Sequence, residues 1–406
     1  MKIKPFTFLN ATQFLGVFND NLFKLLLIFA LINIQGIKQS QTILSLAGAI
    51  FVLPFLVLSI PAGTLADRIS KKVIIIYVKA IELAAAILGV ISFGLESALG
   101  LYSALFILAI SGAIFGPTKY GIVPELVKKE ELSKSNGYLS SFTFLAIIIG
   151  TSAAGPLVEA SDRNYFFASF ACLILAIIGM LTAIKIPHTP AASSSKKFTP
   201  FFFLEVIHNL KEASNIKYLL VAIFGSAYFL FIGGFTQLNI IPYAVYCLGL
   251  SEIEGSYLFL ITALGIGIGS LVAGKLSGKK VQLGLSPIGA LGMSISALTL
   301  SFCELNFYLL FLALFFLGAF GGIYLIPLDS YIQAASPNNK RGQNVAANNL
   351  MGFTGVLFAS FLLYLIGNIL GFSANIGFMC IGIITAFVTL LFFYLLRFPL
   401  KSLFGY

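Results

Sequence analysis

The chain has 406 residues, of which 59% are hydrophobic and only 10% charged, and its mean hydropathy is +1.00. Soluble domains carry about 25% charged and about 45–50% apolar residues, so this composition argues against a soluble enzyme. The formal net charge of +10 is typical either of nucleic-acid binding or of basic residues retained on the cytoplasmic side of a membrane.

The apolar residues are arranged in windows long enough to cross a bilayer as helices, which takes about twenty residues. We predict twelve transmembrane helices. They span residues 11–33, 43–66, 73–95, 101–122, 137–160, 165–186, 217–242, 255–277, 284–303, 306–332, 344–369 and 374–397. A long polar segment divides the sixth span from the seventh. The sequence therefore predicts an N-terminal six-helix bundle over 1–186, a cytoplasmic linker over 187–216 and a C-terminal six-helix bundle over 217–406.

The first predicted span carries a polar stripe. Gln13, Asp20 and Lys24 are spaced by seven and four residues, so they share one face of a helix. An ionisable group at bilayer depth costs a few kcal/mol or more, which favours a functional role such as binding a polar substrate group. The alternative is an internal Asp20–Lys24 ion pair, one helical turn apart, that binds nothing.

The second span ends in the segment GTLADRISKK, residues 63–72. An acidic residue at this position can meet a helix N-terminus or a basic side chain across the bundle and so stabilise one access state. The alternative is a loop whose basic residues only set the topology. We predict a gating role for Gly63, Asp67, Arg68, Lys71 and Lys72.

An internal repeat supports two related halves. Gly274, in the segment GKLSGKK after the eighth span, lies 211 residues after Gly63, and Pro327-Leu-Asp329 lies 210 residues after Pro117-Thr-Lys119. Two landmarks with nearly one offset indicate duplication of a six-helix unit and predict two pseudo-symmetric bundles. The second segment lacks the acidic residue, so we expect its gate to be weaker.

The same offset relates two intramembrane charges. It places Lys119 and Asp329 at equivalent depths on opposite sides of a cavity. There they would face a zwitterionic or phosphate-bearing group, or each other in one gate state. The alternative for Lys119 is a side chain that extends to the cytoplasmic interface.

Other polar residues in the spans have structural and functional interpretations. Lys79 and Glu82, three residues apart on the third span, are interpreted as a structural ion pair. Gln237 and Asn348 are candidate binding residues because amides form hydrogen bonds without a large desolvation cost, although they can equally join helices. The eighth span is predicted to pack closely through Gly265, Gly267 and Gly269.

The positions of the basic residues fix the expected topology. With the N-terminus inside, twenty of the 25 Lys and Arg residues fall in cytoplasmic segments and three fall within spans. Only Lys38 and Arg163 fall outside. This asymmetry indicates cytoplasmic termini and a charge excess that is topological, with no nucleic-acid partner. The isolated cysteines and two histidines predict no metal site, no cofactor and no covalent chemistry.

Several of these strings resemble a known family. GTLADRISKK is similar to the loop 2–3 signature of the major facilitator superfamily, with Ser70 where that family usually has Gly. QFLGVFNDNLFK (13–24), YVKAIEL (77–83), GPTKYGIVPEL with SNG (116–126, 135–137) and PLDSYIQAASPNNKRGQNVAANN (327–349) resemble its lysophospholipid transporter group. The resemblance extends over essentially the whole chain.

The resemblance implies an all-α membrane protein with the major facilitator fold of twelve transmembrane helices. It implies alternating-access transport of lysophospholipids across the bacterial inner membrane to the cytoplasmic leaflet for reacylation, with Asp20 and Asn21 in its most characteristic string. We expect a monomer in contact with membrane lipids. Because no acyltransferase follows in this chain, we expect a separate acyltransferase or acyl-ligase to perform the reacylation.

Two other functions stay open at this point. The chain is alternatively a proton-coupled exporter of small amphiphilic compounds, in which Asp20 titrates during the cycle. A further alternative is a membrane scaffold for a separate acyltransferase.

Overall fold

The computed structural model describes residues 5–192, 194, 202–278, 280–302, 306–397 and 399. Within those residues the chain forms thirteen α-helices and no β-strand, which confirms the predicted all-α class. The helices are α1 (Pro5–Gln35), α2 (Ser40–Arg68), α3 (Lys71–Gly94), α4 (Ala98–Leu126), α5 (Leu132–Ala160), α6 (Tyr165–Ile184), α7 (Phe202–Ser214), α8 (Leu219–Pro242), α9 (Glu252–Leu276), α10 (Leu285–Leu300), α11 (Phe307–Ala335), α12 (Arg341–Tyr364) and α13 (Ala374–Leu395).

Every predicted span contains a helix. Eleven helices in the described part of the chain are long and apolar enough to cross a membrane. The ninth predicted span, 284–303, corresponds to α10, which has 16 residues and is therefore about 24 Å long. The hydrophobic pattern thus predicted the position of a helix in each of the twelve windows.

The predicted linker contains a helix that the sequence analysis did not predict. Helix α7 is amphipathic: Val206, Asn209 and Ala213 are buried at helical spacing, whereas the side chain of Ile207 is 64% exposed. The helix was missed because the window also holds a Pro- and Ser-rich stretch that indicates a loop. Part of that stretch, 195–201, lies outside the described residues.

The chain divides into two compact units. Unit 1 comprises Met1–Val127, Ala146–Asn209 and Pro337–Leu350. Unit 2 comprises Lys128–Leu145, Leu210–Ser336 and Met351–Tyr406. The first part of α12 thus belongs to unit 1, and the first part of α5 belongs to unit 2. The sequence-based bundles, 1–186 and 217–406, stay a prediction.

The core of unit 1 is built around α1. Leu22, Leu26 and Leu27 are at most 2% exposed, and the ring of Phe23 meets that of Phe93 edge to face at 5.7 Å between centroids. The edge-to-face contact stabilises the core beyond what the burial of these apolar side chains contributes. These contacts fix the position of α1, the helix that carries the polar stripe.

In unit 2, helices α9 and α11 approach until their backbones touch. A methyl group on Gly265 or Gly269 would overlap backbone atoms of α11, and one on Gly318 would overlap the backbone oxygen of Thr262 on α9. Small residues at such crossings let two helices approach closely in a membrane. The close packing predicted for the eighth span is confirmed for these α9 glycines, while Gly267 faces α5 instead.

We predict that Gly318→Ala lowers the free energy of unfolding by about 1–3 kcal/mol, because the added methyl group must displace a backbone. Thermal inactivation followed by size-exclusion chromatography in detergent measures the effect. The matched control is Gly233→Ala in α8, where the new methyl group would lie within 4 Å of no described atom beyond its chain neighbours and its own helix backbone. Equal stability of the two variants would contradict the packing argument.

Candidate functional site

Five ionisable residues on three helices of unit 1 form what we call the charged cluster: Asp20 and Lys24 of α1, Lys79 and Glu82 of α3, and Lys119 of α4. The carboxyl group of Asp20 lies in the electrostatic field of the other four. Its Oδ1 atom is buried and has no hydrogen-bond partner. The cluster therefore contains both signs of charge and an oxygen that is open to a further interaction.

The Lys79–Glu82 pair forms as predicted. Lys79 Nζ lies 2.5 Å from Glu82 Oε2, and both side chains are at most 5% exposed. The pair packs against Gly16 of α1, where any side chain would overlap the Lys79 ammonium group. Glycine at this position lets the ion pair lie against α1 one helical turn before Asp20. The pair therefore lies closer to the polar stripe than its place on the third span suggested.

Aromatic rings lie beside the lysines of the charged cluster. Phe115 of α4 has Lys79 Nζ at 5.2 Å and Lys119 Nζ at 5.9 Å from its ring centroid, and Lys119 Nζ lies 5.0 Å from the centroid of Tyr120. A ring face attracts a cation at these distances by about 0.5–2 kcal/mol. The rings therefore help to stabilise the ammonium groups within the apolar part of unit 1.

At the end of α2, Asp67 contacts the N-terminus of α12. Asp67 Oδ1 accepts a hydrogen bond from the backbone N–H of Gly342 at 2.7 Å, and Oδ2 accepts one from Gln343 at 3.0 Å. The first N–H groups of a helix lack partners within it and carry partial positive charge. The fully buried carboxylate therefore satisfies donors that the helix cannot satisfy itself.

Two glycines make this contact possible. A methyl group on Gly63 would overlap the side chain of Ala346 and lie 2.6 Å from the oxygen of Gly342. A methyl group on Gly342 would lie 2.5 Å from the oxygen of Gly63 and 2.8 Å from Asp67 Oδ1. Helices α2 and α12 can therefore approach closely enough for the short side chain of Asp67 to reach the α12 backbone.

A buried ion pair lies beside the Asp67 contact. Lys71 Nζ lies 2.6 Å from Glu125 Oε1, with the lysine side chain fully buried, and the guanidinium of Arg341 lies in the electrostatic field of Glu125 and Asp67. Ser70 has φ −54°, which any L-residue adopts, so the usual glycine is not required there. Of the other predicted gating residues, Arg68 is exposed and Lys72 is half-buried.

Comparison with known proteins decides the family. The sequence model described as "Major Facilitator Superfamily" matches residues 9–303 and 223–404. The chain belongs to the major facilitator superfamily. It is therefore a membrane transporter and not an enzyme.

Relatives and solved structures agree with this membership. The chain is 28% identical over 360 residues to a protein named lysophospholipid transporter LplT of Serratia proteamaculans, which covers 86% of this chain and 84% of that protein. The chain is also 28% identical over 361 residues to an LplT of Yersinia pestis, an alignment that covers 86% of this chain and 83% of that protein. The outward conformation of the FucP transporter has TM-score 0.77 at 17% identity over 98% of this chain and 99% of that chain. The structure of the xylose symporter XylE has a TM-score of 0.71 at 15% sequence identity, and the match covers 97% of this chain and 95% of that chain. At these identities the solved structures show the shared fold.

A major facilitator chain with a duplicated fold is expected to repeat the α2–α12 contact, and unit 2 contains such a crossing between α5 and α9. A methyl group on Gly274 would lie 3.0 Å from the oxygen of Ser133, and Ser140 hydrogen-bonds Ser270 at 3.1 Å. Nearby, the side-chain amides of Asn136 and Gln333 exchange hydrogen bonds of 3.2 and 3.0 Å. These hydrogen bonds join uncharged groups, in agreement with the missing acidic residue. Lys279 of the repeat lies outside the described residues.

The remaining predicted binding residues lie in several places of the major facilitator fold. In unit 1, buried Gln13 donates to Asn10 at 3.2 Å, Asn21 donates to the Val17 oxygen at 2.8 Å, and Asn348 is half-buried on α12. In unit 2, Ser226 donates to Asp329 at 2.8 Å, and the side chain of Gln237 is exposed. Among the predicted binding residues of unit 1, Lys24 and Lys119 lie in the electrostatic field of Asp20.

Sequence reasoning missed several residues of this site. Asn19 is fully buried, and neither its amide nitrogen nor its oxygen has a hydrogen-bond partner. It stands beside Asp20 in the string FNDN, where an asparagine in an apolar run was an available signal. Phe115 gave no such signal, because an aromatic residue in a span is ordinary, whereas Asn136 and Gln333 of unit 2 stand in the strings 135–137 and 327–349 that carry the family resemblance.

We predict that Lys79 and Glu82 stabilise the fold as a pair. Glu82→Leu alone leaves a buried ammonium group unpaired and is expected to cost about 3–5 kcal/mol of unfolding free energy. The double variant Lys79→Met, Glu82→Leu removes both charges at similar volume and is expected to restore stability to within about 1–2 kcal/mol. Thermal inactivation in detergent measures all variants. A double variant as unstable as Glu82→Leu would contradict the prediction, because the loss of stability would then not come from the unpaired charge.

We predict that Asp67→Ala exposes the first turn of α12. Each hydrogen bond to a charged group contributes about 1.5–3 kcal/mol, so losing two should speed amide exchange at 342 and 343 at least about tenfold. Hydrogen–deuterium exchange of the peptide that covers this turn measures the change. Glu130→Gln, which removes an exposed carboxylate in unit 2, serves as the control. Unchanged exchange in Asp67→Ala would refute the capping role.

Proposed function

We propose that the chain carries lysophospholipids across the bacterial inner membrane to the cytoplasmic leaflet, where a separate acyltransferase or acyl-ligase reacylates them. The charged cluster of unit 1 carries this proposal. A lysophospholipid head group holds a phosphate and often an ammonium group, and the cluster offers lysines and carboxylates buried side by side. The relatives named lysophospholipid transporters support the same substrate.

The energetics favour a substrate that bears charges of its own. Ions at bilayer depth are costly, and such residues mark substrate or ion pathways. Lys24 and Lys119 lie at aromatic ring faces, 5.4 Å from the Phe51 centroid and 5.0 Å from the Tyr120 centroid. A phosphate that reaches them would gain charge-assisted hydrogen bonds, and a substrate ammonium would find Asp20 Oδ1.

The orientation follows from the basic residues. We propose that both termini are cytoplasmic, because the segments on that side hold twenty of the 25 Lys and Arg residues. The Asp67–α12 contact then lies on the cytoplasmic side. Holding α2 against α12 stabilises one access state, and release of the α12 N-terminus permits the other. We propose a monomer as the transporting species.

Uptake of labelled lysophosphatidylethanolamine into spheroplasts tests the proposal. Asp20→Asn is expected to lower the initial rate at least about tenfold, since the head group loses a charged partner. Lys119→Ala and Asp329→Ala are expected to lower it as well, and Glu130→Gln serves as the control at an exposed carboxylate. No uptake above background by the intact protein would refute the substrate. Normal uptake by both Lys119→Ala and Asp329→Ala would refute their shared role.

One observation favours a second candidate, the proton-coupled export of small amphiphilic compounds. Asp20 Oδ1 is buried without a hydrogen-bond partner and lies in the field of another carboxylate, Glu82. Such a carboxyl group is suited to bind and release a proton. Flux that follows the proton gradient in the wild type, and becomes independent of it in Asp20→Asn, would favour export over the first proposal.

A further inference from the structure

A polar cavity lies in unit 1, and its lining does not include any residue of the charged cluster. It has a volume of about 590 Å³ and lies where α1 ends and where α3 turns into α4 and α5 into α6. Its apolar wall includes Ala30, Phe93 and Leu101, each less than 5% exposed. A cavity of this size is large enough to take the polar part of a small amphiphile.

The rim of this cavity carries both signs of charge. Arg163, Glu96 and Asp162 line it with exposed side chains. None of the three forms an ion pair or a side-chain hydrogen bond with the part of the chain that the structure describes. One guanidinium and two carboxylates are therefore available together at the mouth of one cavity.

The backbone at the rim is held in an unusual conformation. Arg163, Asp162 and Glu96 have φ values of 59°, 51° and 52°, and only one other non-glycine residue in the described ranges has positive φ. Residues held in this region of backbone conformation are strained and cluster at ligand clamps. Hydrogen bonds fix both turns, as from Arg163 N–H to the Val158 oxygen at 2.8 Å. The charged side chains thus project from rigid turns.

An apolar surface adjoins the rim along the chain. Leu95 and Leu99 flank Glu96 and are 73% and 79% exposed, and Phe167 is 63% exposed. Phe166, which lines the cavity, packs edge to face on Phe167 at 5.5 Å between ring centroids. An amphiphile with one chain can place its polar end in the cavity and its chain along this surface.

We propose that this cavity is a docking site for the head group of a zwitterionic one-chain phospholipid. Arg163 binds the phosphate, and Glu96 with Asp162 binds the ammonium group. Because the rim holds two carboxylates for one guanidinium, an amine-bearing head group is preferred over an anionic one. The site rests on the proposed function and its topology, which places these turns on the outer face, where the substrate enters.

Uptake kinetics and direct binding test the site together. Arg163→Gln is expected to raise KM for lysophosphatidylethanolamine about tenfold with little change in the maximal rate, and Arg163→Lys is expected to recover most of the loss. Lys38→Gln is the matched control, since Lys38 is the other basic residue of the predicted outer segments and does not line the cavity. Binding of fluorescent lysophosphatidylethanolamine to purified protein in nanodiscs should weaken in Arg163→Gln by the same factor.

The outcomes separate this inference from the proposed function. If the wild type takes up the substrate and Arg163→Gln changes neither KM nor binding, the docking site is overturned and the transport proposal stands. Weaker binding in Arg163→Gln without any wild-type uptake supports the site and refutes the transport proposal. Equal competition by diacyl phosphatidylethanolamine, or equal affinity for lysophosphatidylglycerol, overturns the assigned head-group and one-chain preference.

Discussion

A bilayer does not hydrate ions, and this constraint governs the polar residues of the protein. Each buried charge must find a partner within the chain or on a substrate. Lys71 has Glu125, Lys79 has Glu82, and Asp67 has the backbone of α12. Asp20 keeps one buried oxygen without a hydrogen bond, as Glu82 and Glu125 do, and it also lies in the field of three lysines, which directs attention to it as a ligand site.

Close helix approach is the second requirement, and it depends on glycine. The carboxylate of Asp67 reaches α12 only because Gly63 and Gly342 let the two backbones meet. Gly16 likewise leaves the space that the Lys79–Glu82 pair occupies. In both cases the absence of a side chain permits a charged contact, so packing and electrostatics are set by the same positions.

The duplicated halves use one crossing geometry with different chemistry. The α2–α12 crossing is closed by a carboxylate on a helix N-terminus, whereas the α5–α9 crossing and its neighbours use hydroxyl and amide groups. Hydrogen bonds to a charged group are roughly twice as strong as neutral ones. The two crossings are therefore expected to differ in strength, which is a physical basis for an asymmetric transport cycle.

The sequence by itself determined the helices, the repeat and the charged candidates, because apolar windows of about twenty residues and buried ionisable groups leave a strong local signal. It also predicted that Asp67 can meet a helix N-terminus or a basic side chain. Only the tertiary structure decided that the partner is α12, that Lys79 and Glu82 lie against Gly16, and that Arg163 and Glu96 share a cavity. These residues are distant in sequence, and hydropathy carries no information on which helix faces meet.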